Sequence, residues 1–503
     1  MNPLQTLICQ VFNFACLIVA CLFSLSFIYI AIHTLSYPFN IEWMEGHTID
    51  IIQRIQDGKA LYVKPSLEYV PYIYTPLYFY VSAFVSEFTG VGFFPARLVS
   101  FLAALGSAAV LYLWVRKEDG SRSIALIGSG LFLGTYILSS RWFDMARIDS
   151  LYLLLVTTGL YLCIFHQNAR YAFIAAAVLV AAFLTKQSTL LVSIPFFAML
   201  LLAHRKHALK TLTMYALGLW IAIAILNIVS ERWFLFYIFE VPSGHQMHWD
   251  GWFNFIKKDF LIPCGFMCLM AIGSLVLLAK KDRKKAIVYL GVCAGLGGAA
   301  YIARLHSFGW HNNLMPAHWV LALMSALCLS QIKSLQRFYM AIAVYVLIGA
   351  QFWHMQYNPK HFIPTELQKV RGELFVKELA KIKGDVFIPD LQWVPTMAGK
   401  KSYNYGMAAF DLMRAELGDK NYIKENLSEE LKLAVENKQF DAIIPAYTNK
   451  VRIMHGHYER TRKLPPYPHF LAGAYRRMPI AVFTPLPQAI PREPDLLDEL
   501  YEK

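Results

Sequence analysis

Two groups of acidic side chains follow long apolar runs, where carboxylates could do chemistry. Glu42, Glu45 and Asp50 lie in the segment PFNIEWMEGHTID at 38–50. Carboxylates beside a bilayer act as general bases, bind metals or simply solvate a loop. Because this segment is largely aromatic and apolar, three acids here are more than a solvated loop requires. Glu42 and Glu45 are therefore candidate catalytic residues.

The second acidic group lies in SSRWFDMARIDS at 139–150. Asp144 and Asp149 flank Arg147, and Asp149 begins the next apolar run. A carboxylate there is costly unless it is paired or faces a watery cavity. One interpretation is an ion pair of Arg147 with Asp144 or Asp149 that holds the helix end. The other makes Asp149 a second catalytic acid that faces Glu42 and Glu45, with Asp144 and Arg147 binding substrate.

Cationic and amide side chains at two further turns are candidate substrate contacts. Lys186 stands between two apolar runs, where it either snorkels to the interface or binds a phosphate. The segment RLHSFGWHNNLMP at 304–316 could hold a phosphate or sugar hydroxyls, and its candidate residues are His306, His311, Asn312 and Asn313. A metal site is disfavoured there, because no carboxylate is near in sequence, and we assign no metal ligands.

The composition indicates that these residues are carried by membrane-spanning helices. Of 503 residues, 57% are hydrophobic and only 16% are charged, against about 25% charged in soluble domains. Apolar runs of about 20 residues predict eleven spans: 11–33, 96–115, 123–140, 150–166, 170–185, 188–203, 211–230, 260–279, 286–303, 316–331 and 338–353. The fold class is an all-α polytopic membrane domain over 1–353, with large outer loops at 34–95 and 231–259.

Residues 354–503 differ in character and predict a small, soluble α/β domain. VFIPD at 386–390 and FDAIIPA at 440–446 are typical of strands, and LSEELKLAVEN at 427–437 of an amphipathic helix. The proline-rich stretches at 465–468 and 485–494 predict extended chain. Within 34–95, the apolar stretch 74–88 predicts a helix lying on the outer interface, because Glu87 and its short length disfavour a span.

The distribution of charge predicts the orientation. With the N-terminus cytoplasmic, five short inner loops totalling 32 residues hold 14 Lys and Arg and three acids. This asymmetry follows the positive-inside rule and makes the domain 354–503 extracytoplasmic. The net charge of +13 is therefore explained by topology, and no basic stripe indicates nucleic-acid binding. We expect a multi-pass protein of the cell (inner) membrane, in contact with membrane lipid.

A series of short motifs resembles a known superfamily. Glu45-Gly46 is followed by GKALY at 58–62, YTPLY at 74–78, ARID at 146–149, LTKQS at 184–188 and GWHNNLMP at 309–316. This series resembles the GT-C superfamily of polyprenyl-phosphate-sugar-dependent glycosyltransferases. The nearer likeness is to bacterial members of glycosyltransferase family 39, akin to protein O-mannosyltransferases and the lipid A aminoarabinose transferase. The resemblance covers about 1–353.

The resemblance implies an inverting glycosyltransferase that moves a sugar from a polyprenyl phosphate to a glycan, lipid or protein acceptor on the outer face. It makes Glu45 the base that activates the acceptor and Asp149 the second-loop acid, which relatives tie to acceptor or metal. It makes no cofactor certain and is compatible with a divalent cation. The family often has an acid before the Glu45 position, where this chain has Met44, so Glu42 is a partner or substitute. In the aminoarabinose branch a lysine stands at the position of Tyr74-Thr75, so here Lys186 or His311 would contact the lipid phosphate, with Tyr74 nearby.

Two other classes of function stay open. A lipid-linked sugar flippase or other transporter would carry charged or broken helices near the midplane, often in matching halves, whereas here the acids lie at helix ends. An oligosaccharide ligase or polymerase is also outward-facing and polytopic, and block transfer of a polymer would distinguish it.

The topology can be tested by thiol labelling. Cysteines introduced singly at Ser402 and Ser334 should react oppositely with an impermeant thiol reagent on intact cells. Position 402 should be labelled and position 334 spared, because the inner loops hold most of the cations. The parent chain, with eight cysteines at or before position 328, sets the background. Labelling at position 334 alone would show that the orientation is the opposite of the predicted one.

Overall fold

The computed structural model describes residues 2–445, 454, 456–462 and 482–486. The predicted extended stretch at 465–468 lies outside these residues. So do residues 487–494 of the predicted extended stretch at 485–494. The helices, in order, are α1 (Pro3–Leu35), α2 (Glu45–Gln56), α3 (Leu77–Thr89), α4 (Phe93–Lys117), α5 (Arg122–Gly134), α6 (Asp149–Phe165), α7 (Ala169–Thr185), α8 (Thr189–Val229), α9 (Trp233–Leu235), α10 (Val241–Ser243), α11 (Trp252–Phe255), α12 (Ile262–Lys281), α13 (Arg283–Leu305), α14 (Met315–Ser334), α15 (Phe338–His354), α16 (Glu366–Ala380), α17 (Val394–Met397), α18 (Gly406–Met413) and α19 (Asn421–Glu436). Short π-helical turns cover Phe236–Glu240 and Ile256–Leu261, and 3-10 turns cover Trp249–Gly251, His311–Leu314, Pro359–Phe362 and Gly418–Lys420.

Apolar length confirms a multi-span membrane protein. Among the described residues, six helical segments are long and apolar enough to cross a membrane: Pro3–Leu35, Phe93–Lys117, Thr189–Val229, Trp249–Lys281, Arg283–Leu305 and His311–Ser334. A seventh is added if Phe338–His354 is joined with Pro359–Ala380.

The predicted count of eleven spans stays a prediction. Helices α5, α6 and α7 coincide with predicted spans but have 13 to 17 residues, or about 20 to 26 Å at 1.5 Å per residue. This is shorter than the roughly 30 Å hydrocarbon core. Helix α8 covers two predicted spans and is broken at His204, whose φ of −140° and ψ of 60° are not helical.

The chain divides into two compact units. The first unit, which we call the membrane unit, comprises residues 1–36, 74–238 and 245–363. The second, which we call the tail unit, comprises 37–73, 239–244 and 364–503. These units differ from the predicted division at 353 and 354, because the segment bearing Glu42 and Glu45 groups with the tail.

Within the membrane unit, the end of α1 is held by buried polar side chains. Arg97, which is fully buried, donates to the carbonyl of Thr34 at 3.0 Å. The Thr34 hydroxyl donates to Asp144 Oδ2 at 2.9 Å. Asp144 Oδ1 accepts from the Tyr136 hydroxyl at 3.0 Å. The loop between α5 and α6 is thus tied to α1 through Asp144.

The tail unit contains a four-stranded sheet of order β1-β2-β4-β3. Its strands are β1 (Val386–Phe387), β2 (Ala442–Ile443), β3 (Tyr458–Arg462) and β4 (Val482–Pro485). β1 and β2 are parallel and the other pairs antiparallel. The predicted strands and the helix at 427–437 are present, as β1, β2 and α19. The buried face packs Phe387, Tyr403, Phe440 and Phe483 into one core.

The predicted outer loop 34–95 contains two helices. One is α3, the helix predicted for 74–88. The other, α2, was not predicted, because its sequence EGHTIDIIQRIQ is polar at both ends; its buried residues include Ile49 and Ile52, three positions apart on one face.

Candidate functional site

A buried ion pair joins two candidate residues that lie 37 positions apart. Lys186 Nζ donates to Asp149 Oδ1 at 2.7 Å, and the two side chains are 10% and 2% exposed. Asp149 is the first residue of α6, where the helix dipole favours a negative charge. Lys186 is the C-cap residue of α7 and has an extended backbone conformation. Asp149 thus forms an ion pair with Lys186, a residue outside its own loop.

Two amide side chains complete this group. Asn312 Nδ2 donates to Asp149 Oδ1 at 3.0 Å, and Lys186 Nζ donates to Asn313 Oδ1 at 2.9 Å. Both asparagines lie in the 3-10 turn before α14. Asp149 Oδ2 is buried and has no hydrogen-bond partner among the described residues. Unpaired buried carboxylate oxygens are costly, so this atom is suited to accept from a ligand hydroxyl.

These four residues line one pocket of the membrane unit. We call it the Lys186 pocket; its walls also include Tyr152, Ser188, Ala299, Ala300, Ala303, Met315 and Pro316. Tyr152 and Ser188 were not predicted, although Tyr152 is one helical turn beyond Asp149 and Ser188 two residues beyond Lys186. The alanines of α13 leave space that larger side chains would fill.

Arg147 and Tyr74 form a neighbouring contact. Arg147 donates to the Tyr74 hydroxyl at 3.3 Å, and its guanidinium lies 5.3 Å from the Tyr74 ring centroid. Asp144 is engaged with Thr34 and Tyr136, as described above, and burial raises the pKa of its carboxyl. The structure therefore separates the contacts of Asp144 from those of Asp149.

The two predicted histidines make contacts outside the lining of the Lys186 pocket. His311 Nδ1 is 2.8 Å from the Ser140 hydroxyl, and its Nε2 is 3.9 Å from Asp259 Oδ1. His306 Nδ1 is 3.0 Å from the carbonyl of Ser307. Asp259, which was not predicted, is buried and accepts from Arg304 at 2.8 Å.

In the tail unit, Glu42 and Glu45 are buried in a tight turn that starts α2. Glu45 Oε2 accepts from the backbone N–H groups of Ile41 and Glu42, at 2.7 and 3.2 Å. Glu42 Oε2 accepts from the N–H of Met44 at 2.9 Å. Both carboxylates are thus oriented by the backbone of the turn that precedes α2.

The described residues do not favour a metal centre. No group of three or more His, Cys, Asp or Glu side chains within them is arranged to hold a cation. We therefore derive no step through a divalent cation.

Comparisons with known proteins bear on both sequence and fold. Residues 71–230 match the sequence model of the dolichyl-phosphate-mannose-protein mannosyltransferase family. This range contains Tyr74, Asp144, Arg147, Asp149 and Lys186. No curated protein matches the chain by sequence.

The fold is similar to that of ArnT from Cupriavidus metallidurans. The structure of ArnT bound to undecaprenyl phosphate has a TM-score of 0.60 and 11% identity, and the match covers 94% of this chain and 99% of that one. The apo structure gives a TM-score of 0.60 and 11% identity, covering 92% and 97%. The predicted resemblance to GT-C glycosyltransferases is thus confirmed, by the family match over 71–230 and by the fold.

The buried carboxyl of Asp50 should make the stability of the protein depend on pH. Burial raises the pKa of its carboxyl to about 8, against the opposing effects of the Trp393 N–H, which donates to Oδ2 at 3.3 Å, and of Ser402. A raised pKa means that the folded state holds the proton, so this stabilisation is complete below about pH 4 and is lost as pH rises through 8. The midpoint temperature of thermal unfolding in detergent should fall between pH 4 and 8 in the parent. In Asp50→Asn it should fall less steeply over the same range.

Asp57→Asn is the matched control for this measurement. Asp57 is a more exposed carboxylate that caps the same helix and pairs with Lys59. Its substitution should leave the slope between pH 4 and 8 unchanged. Equal slopes in the parent and in Asp50→Asn would show that Asp50 does not hold the proton.

Proposed function

We propose that the chain is an integral-membrane glycosyltransferase that moves a sugar, with inversion, from a polyprenyl-phosphate donor to an acceptor on the outer face of the membrane. The observation that carries the proposal is the Lys186 pocket, in which a buried ammonium group lies among Asp149, Asn312 and Asn313. The similarity in fold to ArnT, whose structure contains undecaprenyl phosphate, supports a lipid-phosphate ligand.

Lys186 is proposed to bind the donor phosphate. An ammonium group has three N–H donors, and Asp149 and Asn313 accept two of them. Among the described residues the third N–H has no hydrogen-bond acceptor. A phosphate oxygen at that position would gain a charge-assisted hydrogen bond. The same contact stabilises the negative charge that the phosphate acquires as it leaves.

Asp149 is proposed to serve the reacting groups in two ways. Its Oδ1 fixes Lys186, and its buried Oδ2 accepts from a hydroxyl of the sugar or of the acceptor. Arg147 and Tyr74 are proposed to contact the substrate together, since they bond to each other. Asp144, His306, His311, Asn312 and Asn313 remain predicted substrate-binding residues, and Asn312 and Asn313 line the pocket.

Glu45 is proposed to be the general base. The acceptor oxygen attacks the anomeric carbon, and the bond from that carbon to the phosphate oxygen breaks. The bonding electrons leave with polyprenyl phosphate, and the acceptor proton passes to the Glu45 carboxylate. Glu42 is proposed to shape the turn through its bond to the N–H of Met44. The proposed setting is the cell membrane, with a cytoplasmic N-terminus and the domain 354–503 outside.

Loss of the Lys186 charge should weaken binding of the lipid phosphate. Titration of purified Lys186→Gln with undecaprenyl phosphate should give roughly a tenfold to hundredfold higher Kd than the parent, because one hydrogen bond between charged groups is worth about 1.5–3 kcal/mol. Lys285→Gln removes a lysine that pairs with Glu118, outside the Lys186 pocket, and should bind as the parent does. Equal affinity in all three proteins would make Lys186 a structural residue.

Loss of the Glu45 base should abolish transfer without loss of binding. The substrates are undecaprenyl phosphates that carry a radiolabelled hexose or pentose, and cell-envelope extract supplies the acceptor. The assay follows loss of the labelled sugar from its carrier and the accompanying release of undecaprenyl phosphate. Glu45→Gln keeps the size of the side chain and should lose about two to four orders of magnitude in rate. Its affinity for undecaprenyl phosphate should stay that of the parent.

Two further variants fix the interpretation. Glu68→Gln removes an exposed carboxylate paired with Lys401 and should transfer normally. Glu42→Gln should be mildly slower. A dead Glu42→Gln with a near-normal Glu45→Gln would exchange the two roles, and normal transfer by both would move the catalytic centre elsewhere.

A further inference from the structure

The turn that carries Glu45 is held by two tyrosine side chains, one of which lies 362 positions from its partner in the sequence. The hydroxyl of Tyr405 donates to the carbonyl of Trp43 at 3.2 Å. The hydroxyl of Tyr72 donates to the carbonyl of Met44 at 2.9 Å. Two phenols thus bind the two consecutive carbonyls that immediately precede Glu45, all within the tail unit.

The rings of these tyrosines pack against one histidine of α2. The Tyr405 ring stacks on His47, with centroids 5.1 Å apart and planes at 25°. The Tyr72 ring meets His47 edge-on at 4.5 Å. All three side chains are at most 2% exposed. Aromatic contacts of this kind fix orientation as well as burying area, so neither hydroxyl can move far from its carbonyl.

The backbone of the tail also sets the position of α2. A Cβ atom on Gly46 would lie 2.0 Å from the carbonyl oxygen of Gln392, so only glycine allows this approach. The next residue, Trp393, has a φ of +70°, which is rare for a bulky residue, and its N–H donates to Asp50. The first turns of α2 therefore rest directly on residues 392–393.

We infer that Tyr405 is a positioning residue for the Glu45 carboxylate. It fixes the Trp43 carbonyl, and through it the 41–45 turn whose N–H groups hold Glu45 Oε2. This inference rests on the proposed role of Glu45. A base displaced by about 1 Å loses on the order of a hundredfold in rate, so one hydroxyl on the turn has a measurable effect on transfer.

Two variants that carry the same Tyr→Phe change at different positions test the inference. Tyr405→Phe removes the hydroxyl bound to Trp43 and keeps the ring. Tyr403→Phe removes a hydroxyl bound to Asp385 Oδ2 at 2.6 Å in the core of the same unit. Both substitutions are made in the full chain. The comparison requires that the two variants have the same midpoint temperature of thermal unfolding in detergent.

Hydrogen exchange reads the turn directly and needs no substrate. The backbone amides of Ile41 and Glu42, which donate to Glu45, should exchange about tenfold faster in Tyr405→Phe and at the parent rate in Tyr403→Phe. Parent-like exchange in Tyr405→Phe would overturn the inference, whatever the fate of the proposed transferase activity.

Kinetics separate positioning from general stability. With whichever undecaprenyl-phosphate-linked sugar supports transfer, Tyr405→Phe should lower kcat about tenfold and leave the donor KM unchanged. In a Glu45→Gln background the same change should cost nothing further, because the group it positions is gone. An additive loss, or an equal loss in Tyr403→Phe, would overturn the inference. Normal transfer by Glu45→Gln would instead refute the proposed function, while the exchange result still decides whether Tyr405 holds the turn.

Discussion

The ion pair between Lys186 and Asp149 is the interaction on which the geometry of the proposed site in the membrane unit depends. Taking either charge alone out of water costs several kcal/mol, and removing one partner of such a pair leaves the other uncompensated. The two side chains are 10% and 2% exposed, so neither is stable there without the other. Their bonds to Asn312 and Asn313 bring the ends of α6 and α7 together with the turn before α14. A pocket lined by small residues of α13 follows from that meeting.

The tail unit solves a different physical problem. The proposed role of Glu45 as a base requires an oriented carboxylate, and the backbone N–H groups of Ile41 and Glu42 hold its Oε2. Those N–H groups are only as fixed as the turn that carries them. Tyr72 and Tyr405 bind the carbonyls of that turn, and the strand and loop segments around residue 392 limit where α2 can lie. The acidic turn and the distant tail residues are therefore one structural element.

The sequence predicted the parts of this structure that arise from local pattern. Apolar runs predicted the long helices of the membrane unit. Apolar and amphipathic patterns predicted β1, β2 and α19. Glu45 and Asp149 were predicted as candidates because they are acids beside apolar runs. The partner of Asp149 could not be read locally, because Lys186 lies 37 residues away and Arg147 only two. Helix α2 was missed because its polar ends resemble a loop, although Ile49 and Ile52 carried a helical spacing. The bond from Tyr405 to Trp43 spans 362 positions, and no pattern in a single sequence indicates such a contact.

Transfer of the sugar from its lipid carrier to an acceptor can be measured with the protein reconstituted in liposomes. Purified protein in liposomes would receive undecaprenyl phosphate bearing a radiolabelled hexose or pentose, with cell-envelope extract outside. We predict that radioactivity leaves the lipid carrier for an acceptor, in step with release of undecaprenyl phosphate. Label that crosses the bilayer while still attached to its carrier, with no undecaprenyl phosphate released, would contradict the claim and identify a transporter.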